Sequence, residues 1–183
     1  MKRGKMKEKR LTIARIAYDA VLSAVCAVLG AYSLDLGSIK FTFENFPVLI
    51  GALLFGPIDG LLIGTLGTFM YQLLRYGLDA STVFWILPYA LGGLFTGLWA
   101  KKVNFSFKRG LLILMLLLNG LLVTGINTAS LFIVYKYMWS MPIETVLLKI
   151  PLRLLISMVK SAAFALVLPP VLKALKKVIK KES

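Results

Sequence analysis

The chain has 183 residues, of which 58% are hydrophobic and 16% are charged, and its formal net charge is +14. A soluble domain is about half apolar and carries about 25% charged residues, so this composition excludes an ordinary soluble domain and indicates a helical integral membrane protein. The basic residues lie almost entirely between apolar runs, where they set the orientation of membrane spans, so we expect a lipid bilayer as partner and no nucleic acid.

Six apolar runs predict an all-α integral membrane protein with six transmembrane helices in a single domain, residues 1–183. A basic arm at residues 1–10 comes first and a basic tail at residues 173–183 comes last. The predicted spans cover about residues 11–32, 46–55, 58–74, 83–99, 111–135 and 146–172. Pro169 and Pro170 stand near the end of the last span.

The stretch at residues 46–74 decides the number of spans. A hydrocarbon core of roughly 30 Å needs about 20 helical residues, so this stretch is long for one span and short for two. It is interrupted by Gly-Pro-Ile-Asp-Gly at residues 56–60, in which proline fixes φ while glycine and aspartate tolerate positive φ. We predict a sharp reversal between a short helix and a longer one, with Asp59 closing the turn.

The distribution of basic residues supports this reversal. With six spans and both termini in the cytoplasm, the arm, the loop at residues 101–109 and the tail place 15 of the 22 Lys and Arg residues on the cytoplasmic side. The connections on the opposite side contain only Lys40, Arg75 and Lys136. A single span in place of the reversal would put the loop and the tail outside, against the rule that positive charge stays in the cytoplasm.

Small residues form a stripe along the first span. Alanines recur there at spacings of three and four residues, which places them on one helix face. They are Ala17, Ala20, Ala24, Ala27 and Ala31. Because helices in lipid associate by close packing, the stripe predicts contact with another helix, from this chain or from a partner subunit. Gly60, Gly64 and Gly67 mark a second such face on the third span.

The connection before the second span, residues 34–44, is polar and contains alternating aromatic residues. Phe41 and Phe43 alternate with Thr42 and Glu44, a period of two that favours a short strand. Residues 71–85, beyond the third span, also combine polar and aromatic side chains. A reversal at one membrane face brings both ends together at the other face, where they can form a site.

Polar and charged side chains within membrane spans are costly and therefore mark functional sites. In the six-span topology most of them fall in the outer half of the membrane, beside aromatic residues of the outer loops. They predict an outward-facing pocket for a small, water-soluble, partly aromatic ligand, with Arg153 facing an anionic group of that ligand. The predicted ligand-binding residues are Phe43, Glu44, Asn45, Gln72, Arg75, Trp85, Tyr89, Asn127, Trp139 and Arg153.

Structural roles remain open for several polar and aromatic residues. Trp85, Tyr89 and Trp139 also suit an interfacial aromatic belt. Asn119 and Asn127 also suit hydrogen bonding between helices.

The charged residues have structural alternatives as well. Arg75 can anchor a helix end, and Arg153 can pair with backbone carbonyl groups. Lys160, near the middle of its span, is interpreted as structural.

The sequence shows no catalytic, metal-binding or nucleotide-binding pattern. It has no histidine and a single cysteine, Cys26, so an intrachain disulfide is excluded and a transition-metal site is not expected. It has no nucleophile elbow, no HExxH-type motif and no phosphate loop ending in Gly-Lys-Ser/Thr. We therefore expect no enzyme activity, no cofactor and no ATP hydrolysis by this chain.

Two stretches resemble the substrate-binding (S) components of energy-coupling factor (ECF) vitamin transporters. They read FTFENFPVLIGALLFGPIDGLLIGTLGTF, from residue 41, and LRLLISMVKSAAFALVLPPVLKAL, from residue 152. The resemblance covers about residues 13–175. It implies a multi-pass protein of a bacterial-type cytoplasmic membrane that binds a vitamin or related micronutrient from outside with high affinity.

The resemblance also implies partners, namely a transmembrane coupling subunit and two ATPase subunits. The family contacts its coupling subunit through an Ala-x-x-x-Ala motif in the first span. Here Ala20 with Ala24 and Ala27 with Ala31 both match, so two registers are open. In the family the ligand contacts come from the outer loops and the outer ends of the last three spans.

The vitamin stays unassigned among folate, pantothenate, cobalamin and others. The Tyr-Phe-Pro-Gly-Phe stretch expected after the third span of a folate binder is absent, and residues 75–82 read RYGLDAST at that place. The alternative function is a stand-alone secondary transporter or channel, which would need a coupling carboxylate or a polar path through the bilayer. No mid-membrane carboxylate is apparent, and Lys160 is the only central ionisable group.

Overall fold

The computed structural model describes residues 2–36, 39–140, 142 and 144–182. Its helices are α1 Lys2–Ala31, α2 Asn45–Leu54, α3 Pro57–Tyr76, α4 Thr82–Lys102, α5 Arg109–Ile133, α6 Glu144–Leu147 and α7 Ile150–Glu182. A π-helical turn, Val134–Met138, continues α5. Two short strands, β1 Leu34–Leu36 and β2 Ile39–Phe41, pair antiparallel between α1 and α2.

Each predicted span falls on a helix, with differences at the ends. α1 extends back to Lys2 through the predicted basic arm, whose side chains lie outside the described part of the chain. α7 continues through Pro169 and Pro170 to Glu182, beyond the predicted end of the last span at residue 172. The long helix also begins later than expected, at Ile150, because a turn separates it from α6.

The short strand expected in the connection at residues 34–44 is present, but it lies earlier than the alternating residues 41–44. Phe41 is the last residue of β2, and the segment that follows runs directly into α2. The alternation of side chains is nevertheless present, because Thr42 and Glu44 are buried whereas Phe43 is exposed. The alternating residues therefore begin in β2 at Phe41 and end at Glu44, which already has helical backbone angles before α2.

Four described helical segments are long and apolar enough to cross a membrane by length and composition. They are Ile13–Ala31, Thr82–Lys102, Arg109–Met138 and Ile150–Ile179. α2 has 10 residues, which is short for a hydrocarbon core of about 30 Å. α3 has 20 residues and is not among the four, since polar residues such as Asp59 and Gln72 lower its hydropathy.

The chain reverses between α2 and α3 at Gly56 and Pro57, as predicted. Gly56 has a φ of 118°, which glycine tolerates, and Pro57 opens α3. Asp59, however, does more than close this turn. It is buried, and its carboxylate accepts hydrogen bonds from the Nε and Nη2 of Arg15 in α1. Arg15 also donates from Nη2 to the Phe55 carbonyl at 3.0 Å, so it ties α1 to the reversal.

A carboxylate also lies in a candidate membrane span, contrary to expectation. Asp19 stands one helical turn beyond Arg15, within Ile13–Ala31. Its Oδ1 is buried. Asp19 lies within the predicted first span, so the expectation of no carboxylate inside a span is wrong.

Glycines let α3 approach its neighbours closely. A Cβ added at Gly60 would lie 2.6 Å from the Gly93 carbonyl oxygen of α4, and one added at Gly64 would lie 2.5 Å from that of Tyr89. A Cβ at Gly67 would lie 2.5 Å from the Cβ of Cys26 in α1. The predicted glycine face of α3 therefore packs against two helices, with Gly60 and Gly64 on α4 and Gly67 on α1.

Asn119 of α5 joins three helices. Its Nδ2 donates to the Gly92 carbonyl and to the Thr96 hydroxyl of α4, both at 2.9 Å. Its Oδ1 accepts from the Nδ2 of Asn45, the first residue of α2, also at 2.9 Å. Asn119 is 1% exposed. The interhelical role considered for Asn119 is thus confirmed.

Large apolar side chains fill one end of the bundle, where α2, α5 and α7 meet. Leu49, Leu53, Met115, Leu116 and Leu168 are fully buried there. The opposite end, where α3 ends and α4 and α7 begin, is packed less completely and contains a cavity.

Candidate functional site

A cavity of about 490 Å³ lies at this second end of the bundle, which we call the cavity end. Its lining comes from the segment before α2, the end of α3, the start of α4, the last turns of α5 and the first turns of α7. The lining residues are Thr42, Glu44, Tyr71, Gln72, Tyr76, Asp79, Ser81, Trp85, Tyr89, Val123, Thr124, Asn127, Leu131, Tyr135, Trp139, Arg153, Ile156 and Lys160.

Helical periodicity explains how two helices contribute to the lining. On α7, Arg153, Ile156 and Lys160 follow at spacings of three and four, so they share one face. With a rise of 1.5 Å per residue, Arg153 and Lys160 lie about 10 Å apart along the helix. α5 presents its lining residues in the same manner, from Val123 to Leu131. The cavity is therefore deep along the bundle axis.

Glu44 forms the floor of the cavity. It precedes α2, is 3% exposed, and accepts a hydrogen bond at Oε1 from the Thr42 hydroxyl at 3.0 Å. Its backbone carbonyl accepts a bond from the Cys26 thiol at 3.2 Å. Lys160 and Tyr89 both lie within electrostatic range of its carboxylate. A buried carboxylate and a lysine thus both line the cavity and attract each other.

Arg153 lies about two helical turns nearer the cavity mouth than Lys160. It is partly buried, and its Nη1 is buried without a hydrogen-bond partner among the described residues. The groups nearest to it electrostatically are the hydroxyls of Tyr89 and Tyr135. Its guanidinium can therefore offer donors to a molecule in the cavity.

The loop before α4 fixes Trp85 at the mouth. The indole Nε1 of Trp85 donates to the Ser81 hydroxyl at 3.0 Å, and that hydroxyl donates to Asp79 Oδ1 at 2.7 Å. These bonds, chiefly that from Ser81 and also that from Thr82, lower the pKa of Asp79. Asp79 is exposed and stays an anion at neutral pH.

Further aromatic rings surround the mouth of the cavity. The rings of Tyr135 and Trp139 lie 5.6 Å apart at the end of α5. Those of Tyr71 and Tyr76 meet edge to face at 5.9 Å at the end of α3. The cavity is thus polar at its floor and aromatic near its mouth.

Seven of the ten predicted ligand-binding residues line this cavity. They are Glu44, Gln72, Trp85, Tyr89, Asn127, Trp139 and Arg153.

The other three predicted residues, Phe43, Asn45 and Arg75, do not line the cavity. The Phe43 ring lies 6.3 Å from that of Phe164. Asn45 bonds Asn119, whereas Arg75 donates to the Ala31 carbonyl and the Ser33 hydroxyl beyond the end of α1. Each of these three side chains instead contacts another part of the chain.

Sequence reasoning missed eleven lining residues. They are Thr42, Tyr71, Tyr76, Asp79, Ser81, Val123, Thr124, Leu131, Tyr135, Ile156 and Lys160. Helical spacing from Asn127 would have indicated Val123, Thr124 and Leu131 on the same face. Lys160, interpreted as structural, lines the floor of the cavity.

The alanine stripe of α1 divides between two environments. Ala20 and Ala24 are exposed, whereas Ala27 is buried against the rest of the chain and Ala31 is half-buried. Ala17 is exposed as well, so the accessible part of the stripe within the described residues is Ala17, Ala20 and Ala24, and Ala20 with Ala24 is the exposed one of the two Ala-x-x-x-Ala pairs.

Comparison with known families assigns the chain. A family model described as "ECF transporter, substrate-specific component" matches residues 14–179. Comparison with curated proteins finds no match. Since the family match spans most of the chain, from the fourth turn of α1 to the last turns of α7, this protein belongs to the family of substrate-specific components of ECF transporters.

Proposed function

We propose that this chain captures a water-soluble vitamin or related micronutrient outside a bacterial cytoplasmic membrane, with high affinity, and delivers it together with a coupling subunit and two ATPase subunits. Family membership makes the chain a multi-pass membrane protein and a substrate-binding subunit rather than an enzyme, and it implies association with ECF coupling and ATPase subunits. The cavity is the observation that carries the finer proposal.

The proposed orientation places the cavity end outside. The basic loop at residues 101–109 and the basic end of α7 lie at the opposite end of the bundle, and positive charge favours the cytoplasm. In this orientation both termini are cytoplasmic. The short α2 and the longer α3 then act as the second and third of six spans, joined by their reversal on the cytoplasmic side.

The size and chemistry of the cavity support a small solute. A volume of about 490 Å³ falls within the usual range for ligand pockets, about 300–1,000 Å³. A few polar groups converge within an aromatic enclosure, which suits a water-soluble ligand with a planar part. We propose Glu44, Gln72, Trp85, Tyr89, Asn127, Trp139 and Arg153 as ligand contacts.

The exposed face of α1 supports a partner contact. Ala20 and Ala24 are small, exposed and one helical turn apart, so another helix can approach the backbone closely there. We propose this register as the contact with the coupling subunit. Ala27 and Ala31 contribute mainly to packing within the chain.

Mass spectrometry of the small molecules released from the denatured protein tests the proposed function. The protein is purified in detergent after incubation with yeast extract, washed, and then denatured. One vitamin-like compound released in stoichiometric amount is the expected result. Failure to release any compound, both before and after that incubation, would refute high-affinity capture.

A further inference from the structure

Arg153 is the cation of the cavity that the protein itself does not neutralise. Lys160 interacts electrostatically with the carboxylate of Glu44. The electrostatic neighbours of Arg153 are two tyrosine hydroxyls and Lys160, none of them a carboxylate, and its buried Nη1 lacks an acceptor among the described residues. A buried guanidinium without a counterion is costly, so an anionic group of a ligand would both neutralise it and complete its hydrogen bonding.

The carboxylates of the cavity already have partners. Glu44 accepts from Thr42 and interacts electrostatically with Lys160. Asp79 accepts from Ser81 and is exposed at the mouth, where water solvates its charge. The formal charges of the two carboxylates and the two cations in the lining cancel. The preference for an anionic group therefore rests on Arg153, whose buried Nη1 lacks an acceptor among the described residues.

The aromatic side chains lie nearer the mouth than the charged floor. Trp85 is held by Ser81, and Tyr135 and Trp139 stand together at the end of α5. Aromatic rings attract one another at centroid separations of about 4.5–7 Å, in offset or edge-to-face arrangements. A planar ring in the cavity would meet these side chains while its acidic group reaches Arg153.

From these observations we infer the substrate class: a compact organic acid with one carboxylate group bound by Arg153 and a planar aromatic body of one or two rings. The inference rests on the proposed function and deepens it. A cavity of about 490 Å³ suits such a molecule better than a corrinoid, which is far larger.

The test compares the compound released by three proteins: wild type, Arg153→Gln and Arg75→Gln. Arg75 is the matched control, because it is an arginine at the same end of the bundle that bonds backbone and serine outside the cavity. Each protein is incubated with yeast extract, washed, denatured and analysed by mass spectrometry. The wild type is then offered the released compound and its neutral methyl ester in equal amounts.

We expect the wild type to release an aromatic compound with one negative charge at pH 7. Arg153→Gln should retain it at least about tenfold less, since a hydrogen bond to a charged group contributes about 1.5–3 kcal/mol. Arg75→Gln should retain it as the wild type does, and the methyl ester should bind wild type at least about tenfold more weakly than the acid.

Several outcomes would overturn the inference. A neutral or cationic compound would refute the substrate class and leave the proposed function standing. Equal binding of acid and ester would refute the role of the anionic group, and this measurement does not depend on the folding of a variant. Unchanged retention by Arg153→Gln would refute the role of Arg153. Release of no compound by the wild type would refute the proposed function itself.

Discussion

Replacement of Asn119 by leucine should lower the free energy of unfolding by about 3–5 kcal/mol. Asn119 makes three hydrogen bonds between helices, each at 2.9 Å. Interhelical side-chain hydrogen bonds in membrane proteins contribute about 0.6 kcal/mol on average, so the three contribute about 2 kcal/mol. Leucine also leaves the Asn45 amide buried without its acceptor, which adds about 1–3 kcal/mol.

The unfolding of detergent-solubilised protein, titrated with sodium dodecyl sulfate and followed by circular dichroism, measures this loss. Thr128→Val is the matched control on the same helix. The Thr128 hydroxyl bonds only the Thr124 carbonyl of its own helix, at 2.8 Å, so its loss should cost less than about 0.5 kcal/mol. A loss below about 1 kcal/mol for Asn119→Leu, or one equal to that of the control, would refute the reasoning that this network joins α2, α4 and α5.

Three further predictions concern the first helix, the ion pair and the loop before α4. Ala24→Leu should abolish co-purification with the coupling subunit while leaving ligand retention unchanged. The control Ala163→Leu, on an exposed face of α7, should affect neither property. Loss of both properties in Ala24→Leu would count against this contact. Asp59→Asn should lower the free energy of unfolding by about 1–2 kcal/mol. This loss is smaller than that expected from breaking a fully buried ion pair, because Arg15 is 46% exposed. Exchange of the two residues by Arg15→Asp with Asp59→Arg should restore part of that loss, and no recovery would argue against a direct pair. The lowered pKa of Asp79 means that its bonded loop is fully stabilised above the usual carboxyl pKa and loses that stabilisation as pH falls below about 4. The fluorescence of a variant whose only tryptophan is Trp85 should therefore change on acidification, and Asp79→Asn should remove that change; an identical titration in both proteins would contradict the assignment.

Local chemistry made much of the helical layout predictable. The Gly-Pro step at residues 56 and 57 has few conformations available, so it indicated the reversal without knowledge of the rest of the fold. Apolar runs located the helices because, within a bilayer, the backbone groups of a segment must form their hydrogen bonds inside that segment. The helix ends were less predictable, because α7 continues through Pro169 and Pro170, which a helix in a packed bundle accommodates.

Contacts between distant segments were not predictable. Arg15 and Asp59 lie 44 residues apart in the sequence. Each has an ordinary local explanation, Arg15 as part of the basic start of the chain and Asp59 as part of a turn. The site was predictable in part because polar side chains in a span rarely face lipid. Phe43, Asn45 and Arg75 are close to the site in sequence but do not line the cavity, because proximity in sequence does not determine where a side chain points.

The close packing of α3 divides the protein into a part that resists substitution and a part that can vary. Every side chain larger than hydrogen at Gly60, Gly64 or Gly67 would collide with the backbone or Cβ of a neighbouring helix. The cavity faces of α5 and α7 border open volume instead, at residues such as Thr124, Asn127 and Ile156. Substitutions on the cavity faces of α5 and α7 can therefore change the ligand preference while the close packing of α1, α3 and α4 is kept.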